Sequence, residues 1–516
     1  MQHKAFVAPT GGWVSNANLA AAPKGTAQVC ENFLPTATGL RQRGGTQKKG
    51  RAATGFRVQS AFAYVGTVRK MFAAANGTIV NLTAPADPNI APAADVSGQT
   101  SNYYSTLNYA TPGGQFMTVV NGTDFLQLYN GTAWQQITAV SSPAITGVAT
   151  NKLSQVSAYR NRQWFVEGGT MNAHYLPVDS IGGALGDVSL SGVFKRGGSL
   201  LFSATWSMDA GDGLDDKIVF ASTEGEYAVY QGDPGTDFAL VGRYDAAPPL
   251  GKNAFLQVGG DLLVLTEIGI VPMSQIQVKD PAALAISAIS RNIGPDWVAD
   301  AKARRLLPWE IVKWTSRNIA IVSTPVIDNE VATPSFCYAV NLDTGAWAKL
   351  TNLDTQCLVL HNDFVYFGRR NGTLVQMEIG GNDEGLPIEY TYVGQNEHIA
   401  GIGVYTTVMQ ARAIFKTKSE IIPQLSTSPD YVIELPPPPN APVITTLSSN
   451  WDEGLWDVAI YDDGGEYVRF TTEWVSIGIS GFVHAPQLQM TSSGTRLPSA
   501  ELVVFEVTHE PGGIVV

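Results

Sequence analysis

The tripeptide Asn-Gly-Thr occurs four times, at Asn76, Asn121, Asn130 and Asn371, each time between runs rich in β-branched and aromatic residues. Asn-Gly accepts the two positive φ values of a type I′ turn, whose twist matches that of paired strands. In KMFAAANGTIVNLTA the turn predicts strands near Met71–Ala75 and Thr78–Leu82. In QFMTVVNGTDFLQLYNGTAWQQI two such turns predict about three strands. The same tripeptide is a glycosylation acceptor, but only in a secreted chain.

A looser form of the phrase, strand, glycine turn, strand, recurs in SAYRNRQWFVEGGTMNAHYLPV, KIVFASTEGEYAVYQGD, FLQVGGDLLVLTEIGIVPM, FCYAVNLDTGAWAKL and FVYFGRRNGTLVQMEI. Turn glycines Gly77, Gly122, Gly168, Gly225 and Gly269 follow one another at roughly 45 to 57 residues. Hairpin repeats of that length predict an all-β chain with a β-propeller, in which each four-stranded blade has an apolar face that only the next blade can cover. Five to seven blades are expected between about Phe56 and Ala400.

The step from Gly269 to Gly345 is too long for one blade. It holds QVKDPAALAISAISRNIGPDWVADAKARRL, where Asp280 can cap a helix with Pro281 in its first turn, and a second helix is expected from Pro295 to Leu306. A small helical insertion is therefore predicted at about 276–312. Residues 1–55 lack periodicity and read as an extended basic arm or platform segment. Residues 401–516 read as a C-terminal β-rich domain in which Pro436 to Pro439 favour a polyproline II strut and the chain from Asn450 onward forms a separate small β-sandwich, platform-like.

Hydrophobic residues make up 44 % of the chain and charged residues only 15 %, which excludes a disordered chain and suits an assembly with much surface covered by neighbours. The net charge of -12 is uneven. Ten Lys or Arg and one acid, Glu31, precede residue 71, so this segment carries about +9 and the remainder about -21. Arg41, Arg43, Lys48, Lys49 and Arg51 crowd into RQRGGTQKKGR. This run suits a solvated loop, an acidic protein neighbour, or the phosphates of DNA. It lacks the stacking aromatics of a single-strand binder.

Three cysteines, Cys30, Cys337 and Cys357, do not make a disulfide framework and are expected as reduced, buried thiols. The first residues lack the apolar run of a secretory signal, and no stretch of about 18 apolar residues predicts a membrane span. The six histidines are scattered; H-E-x-x-H, C-x-x-C, G-x-S-x-G, Walker A and G-x-G-x-x-G patterns do not occur. No catalytic residue, cofactor or zinc site is predicted. Asp209, Asp212 and Asp215 in DAGDGLDD are a weak calcium candidate, because their spacing departs from that of a calcium loop; a solvated Asp-Gly turn is the alternative. NLDTGAW, from Asn341 to Trp347, resembles the Asp-box turn of sialidase-like propellers with its Trp one position early, and reads as a hairpin turn with Trp347 packed on the blade.

The segments CENFLPTATGLRQRGGTQ, RQWFVEGGTMNAHYLPVDSIGG and GGSLLFSATWSMDAGDGLDDKIVFASTEGEYAVYQGDP resemble, in this order, the tail nozzle (tail tubular or tail hub) proteins of short-tailed bacteriophages. So do GRYDAAPPLGKNAFLQVGGDLLVLTEIGIVPMS and the C-terminal WVSIGISGFVHAPQLQM. The resemblance implies a non-enzymatic virion component, assembled in the bacterial cytoplasm, that forms a homohexameric ring carrying propellers and platforms. Such a ring docks to an adaptor ring and to tail fibres or spikes, meets the host outer membrane at its distal tip, and guides and gates the genome during DNA ejection. The basic run would then face the adaptor or the DNA, and the acidic remainder would keep the lumen from holding phosphates. The competing reading is a carbohydrate-binding or sialidase-like propeller of a tailspike.

Overall fold

A computed structural model describes residues 1–516 apart from 17, 19, 21, 210–213, 306, 327–334, 419–420, 441–467, 495–496 and 515–516. The chain divides into two units. One comprises 48–337 and 352–376; the other comprises 1–47, 338–351 and 377–516.

The first unit is a ring of small antiparallel sheets, as the hairpin repeats predict. The first four sheets have four strands each, joined in chain order. They start at Ser60–Tyr64, Ser105–Thr111, Leu153–Tyr159 and Leu200–Asp209. The fifth has three strands, from Phe255–Val258 to Gly269–Pro272. The sixth begins with Ile311–Trp314 and Ile319–Ser323, and the seventh with Cys357–His361, Phe364–Gly368 and Thr373–Met377. The first strands of the second, third and fourth sheets lie side by side in turn, as do those of the fifth, sixth and seventh, and that of the seventh lies beside that of the first, so the ring closes. Its outermost seventh-sheet strand comes from Thr46–Arg51, on the other side of the ring in sequence.

The sheets hold each other face to face. Phe62, Phe72 and Ile79 of the first meet Met117, Val119 and Tyr129 of the second. Trp164 of the third is fully buried against Phe220 and Phe238 of the fourth, at centroid distances of 5.7 and 5.4 Å. Val58, Met71 and Val80 meet Cys357, Val359 and Leu374 where the ring closes. Second strands such as Met71–Ala75 are buried at nearly every position because both faces are covered, which is why they read as continuous apolar runs rather than alternating ones. Each fully buried aromatic or aliphatic side chain contributes about 1.5–3 kcal/mol.

The fifth sheet lacks a fourth strand, and the helices take its place. Met273–Val278 (α1), Leu284–Ser287 (α2) and Gly294–Ala303 (α3) follow it, and Met273, Ile276 and Leu284 enter the core between the fourth and fifth sheets. Asp280 caps as the sequence implies, its Oδ1 accepting from the Ala282 N–H at 2.9 Å with Pro281 next to it. The helical segment is thus a blade component that begins at Met273, before the expected boundary, rather than an insertion between blades.

The second unit holds two further sheets. In one, Val404–Thr417 pairs with Glu501–Ile514, which also pairs with Gln2–Val7 and Leu40–Gln42. In the other, Leu386–Gly394 lies between Ala27–Glu31 and His484–Ser492. Phe6 packs edge-on against Phe505 at 6.4 Å, and Phe33 lies tilted against Tyr390 at 5.4 Å. Residues 1–55 are therefore not an extended arm; they supply strands to sheets. Those strands are mostly three to six residues long, too short for a readable alternation. The boundary expected at Ala400 falls at Gln376 instead. Pro436 to Pro439 form no ladder; Thr491 donates from its hydroxyl to the Pro439 carbonyl at 2.5 Å, tying the segment along the His484–Ser492 strand.

Candidate functional site

The basic run does not form one surface. Arg43 is 1 % exposed. Its Nε donates to Asn32 Oδ1 at 2.8 Å, its Nη1 to Gly44 O and Asp383 Oδ1, both at 3.0 Å, and its Nη2 to Asp383 Oδ2 at 2.6 Å. Burial opposes the guanidinium charge, but the hydrogen bonds and charge of Asp383 outweigh it and hold the pKa above its ordinary value. Arg41 pairs with Glu378 at 3.1 Å, and Glu378 Oε1 also accepts from the Gly44 N–H at 2.6 Å. Both arginines are internal ties of the second unit. Lys48, Lys49 and Arg51 lie on the outer strand of the seventh sheet, half-buried, with Lys48 Nζ donating to Asn89 Oδ1 at 2.9 Å. Adjacent charge in sequence is split because the division between the two units falls between Gln47 and Lys48.

The calcium candidate falls largely outside the described residues. Asp209 and Asp215 lie on the paired strands of one hairpin, where Met208 faces Asp215, and Asp212 lies outside the described residues. In NLDTGAW the Asn341 side chain accepts from the Asp343 and Thr344 N–H groups, and Trp347 is fully buried edge-on to Tyr338 at 6.2 Å. The three cysteines are free and buried.

The axis of the ring holds a cavity of about 220 Å³, touched by Ser60, Ser105, Val156, Phe255, Glu310 and Leu358, from six of the seven sheets or the linkers entering them. Glu310 accepts from the Leu358 N–H at 2.9 Å and from Asn253 Nδ2 at 3.3 Å. Burial pushes its carboxyl up to about 7 against the pull of these bonds and of Lys252. Lys252, on the linker into the fifth sheet, donates from Nζ to Tyr103 O at 2.9 Å and Ser154 O at 2.8 Å, above the Tyr103 ring. Burial pushes this ammonium down to about 7. One lysine thus ties the fifth sheet to the entrances of the second and third, and one glutamate ties the sixth to the fifth and seventh. Neither was singled out from sequence: each sits alone in a linker, and only ring closure brings them to one axis.

No family model matches the sequence, and no curated protein matches it. Solved structures resemble it loosely. The extracellular domain of a hybrid two component system from B. thetaiotaomicron aligns with a TM-score of 0.40 at 11 % identity, over 67 % of this chain and 43 % of that one. The chain thus spans less than half the length of that protein. YCF48 from Cyanidioschyzon merolae aligns with a TM-score of 0.37 at 9 % identity, over 65 % of this chain and 98 % of that one.

Proposed function

We propose that this chain is a structural, non-enzymatic subunit of the tail nozzle of a short-tailed bacteriophage, one of several copies, six by the resemblance, surrounding the path of ejected DNA. The ordered resemblance of five segments supplies the family. The structural observation that supports the reading is a set of exposed apolar side chains in the second unit. Ile402 is 87 % exposed and Leu386 69 %, with Val432, Ile433 and Val475 also exposed. Tyr405 and Phe482 pack edge-on at 5.1 Å while both remain open to solvent. Exposed apolar surface of this kind is what neighbouring copies cover in an assembly.

The axis of each ring of sheets is not the conduit. A cavity of about 220 Å³ cannot pass a duplex whose major groove alone is about 12 Å wide. The lumen therefore lies between copies, where acidic surface would keep phosphates moving. Adaptor and fibre docking belong to the same proposal, with Lys48, Lys49 and Arg51 the part of the basic run available for an acidic neighbour.

Cryo-EM and mass photometry of the purified chain, alone and with its adaptor ring, test this. A closed ring with a central opening, dispersed by Ile402→Glu with Tyr405→Ser, is the expected result. A chain that stays monomeric beside the adaptor overturns it.

A further inference from the structure

The first and last sheets of the ring meet at a cavity of about 500 Å³. Its lining includes the Asn76–Gly77 turn of the first sheet and Arg370 of the seventh. The linker into the first sheet brings Phe56 and Arg57, and the linker into the second brings Gln99 and Asn102. The volume lies in the range that encloses a small ligand.

The lining is unusual in kind. Amides and guanidiniums surround one aromatic ring, that of Phe56, which is 50 % exposed. No carboxylate lines it among the described residues. Several of these groups are already fixed. Asn102 Oδ1 accepts from the Gly77 N–H at 2.9 Å, Arg57 Nη2 donates to Val326 O at 2.9 Å, and Arg370 Nε pairs with Asp354 at 3.2 Å. Asn102 keeps both Nδ2 hydrogens beyond that bond, and the Nη groups of Arg370 carry four further donors.

We propose that this seam cavity binds a neutral saccharide, one hexose of a glycan, with Phe56 under the apolar face of the sugar and the amides and Arg370 on its hydroxyls. Amides offer donors and acceptors together, which a polyhydroxyl ligand needs and a phosphate does not. The charge of Arg370 is already met by Asp354 at 3.2 Å, which weakens its pull on an anion. A nucleic acid would need a basic track with several stacking rings. Hydrolysis of the bound sugar is not part of the proposal, since that chemistry uses a pair of carboxyl groups. The proposal stands independently of the nozzle reading.

The test is titration calorimetry and saturation-transfer NMR on the full chain. The probes are neutral oligosaccharides of glucose, galactose, mannose and N-acetylglucosamine, an oligogalacturonate, and a short oligothymidylate. At least one neutral oligosaccharide is expected to bind. Phe56→Ala should weaken it about tenfold, as loss of a ring contact does, and Arg370→Met should weaken it as well. Phe125→Ala, another exposed phenylalanine, should leave it unchanged. Binding confined to the oligogalacturonate or the oligothymidylate overturns the proposal. So does millimolar silence from every neutral probe, or binding indifferent to Phe56→Ala.

Discussion

Arg43 holds Asp383 through two parallel hydrogen bonds, Nη1 to Oδ1 at 3.0 Å and Nη2 to Oδ2 at 2.6 Å, across 340 residues of sequence. The pair joins the N-terminal segment of the second unit to the segment that begins at Met377. Its geometry needs a planar fork, which lysine does not provide. Arg43→Met and Asp383→Asn are each expected to destabilise this unit by about 3–5 kcal/mol, because each leaves a buried charge without its partner, and Arg43→Lys, which keeps the charge but loses the fork, by less. Urea unfolding followed by near-ultraviolet circular dichroism measures this; a loss below about 1 kcal/mol would show that the pair is dispensable.

Lys48 and Lys49 should behave in the opposite way. Replacing both by serine is expected to change stability by no more than about 0.5 kcal/mol, as at other surface positions. In the nozzle reading the same change weakens docking to the adaptor ring, more strongly at low salt than at high. A pull-down across a salt series reads this, and unchanged docking at every salt removes these residues from that interface.

The axial pair gives a pH signature. Glu310 is pushed from 4.5 up to about 7, so between these values the folded chain holds a proton that the unfolded chain has released. Its contribution to stability falls as pH rises through that window. Lys252 is pushed from 10.5 down to about 7, so above 7 the unfolded chain holds the extra proton and stability rises with pH up to about 10.5. The two contributions together give a minimum near neutrality. Glu310→Gln should remove the falling limb and Lys252→Met the rising limb, measured as denaturation midpoints from pH 4.5 to 10.5.

Gly372 is a position where only glycine fits. Its φ is +85°, and a Cβ there would come within 1.7 Å of the Ala53 carbonyl oxygen. Ala53 and Gly372 lie where the first and last parts of the ring meet; both the Ala52 and Ala53 N–H groups donate to the Gly372 carbonyl. Gly372→Ala is expected to cost at least about 2 kcal/mol, from left-handed strain plus the displaced contact. The control Gly385→Ala has similar φ, +95°, but nothing within 4 Å of a Cβ, and should cost about 1–2 kcal/mol from strain alone.

The ring was readable because its hairpins carry local signals. Asn76 and Gly77 both have positive φ, +51° and +71°, as an Asn-Gly turn predicts. The other three tripeptides turn differently. Asn121, Asn130 and Asn371 keep negative φ and use the side-chain oxygen to accept from the N–H two residues on, with only the glycine left-handed. The outcome is a tight turn either way, so the strand count survived a mistaken turn type. The division of the chain was not readable. Nothing local in Arg41 or Arg43 distinguishes an internal tie from a surface charge; the difference lies in Glu378 and Asp383, more than 330 positions away. The seam cavity was equally hidden, since Phe56 and Arg370 become neighbours only when the ring closes.

That closure also sets an order of events during synthesis. The strand Thr46–Arg51 leaves the ribosome early, and its partner Thr373–Met377 leaves more than three hundred residues later. Until then the growing stack has bare apolar faces at both ends, and the early strand has no edge to join. A nascent chain of this kind stays vulnerable to wrong strand partners for most of its translation. Shortening it from the C-terminal side past Thr373 should not give a smaller ring but an open, sticky arc.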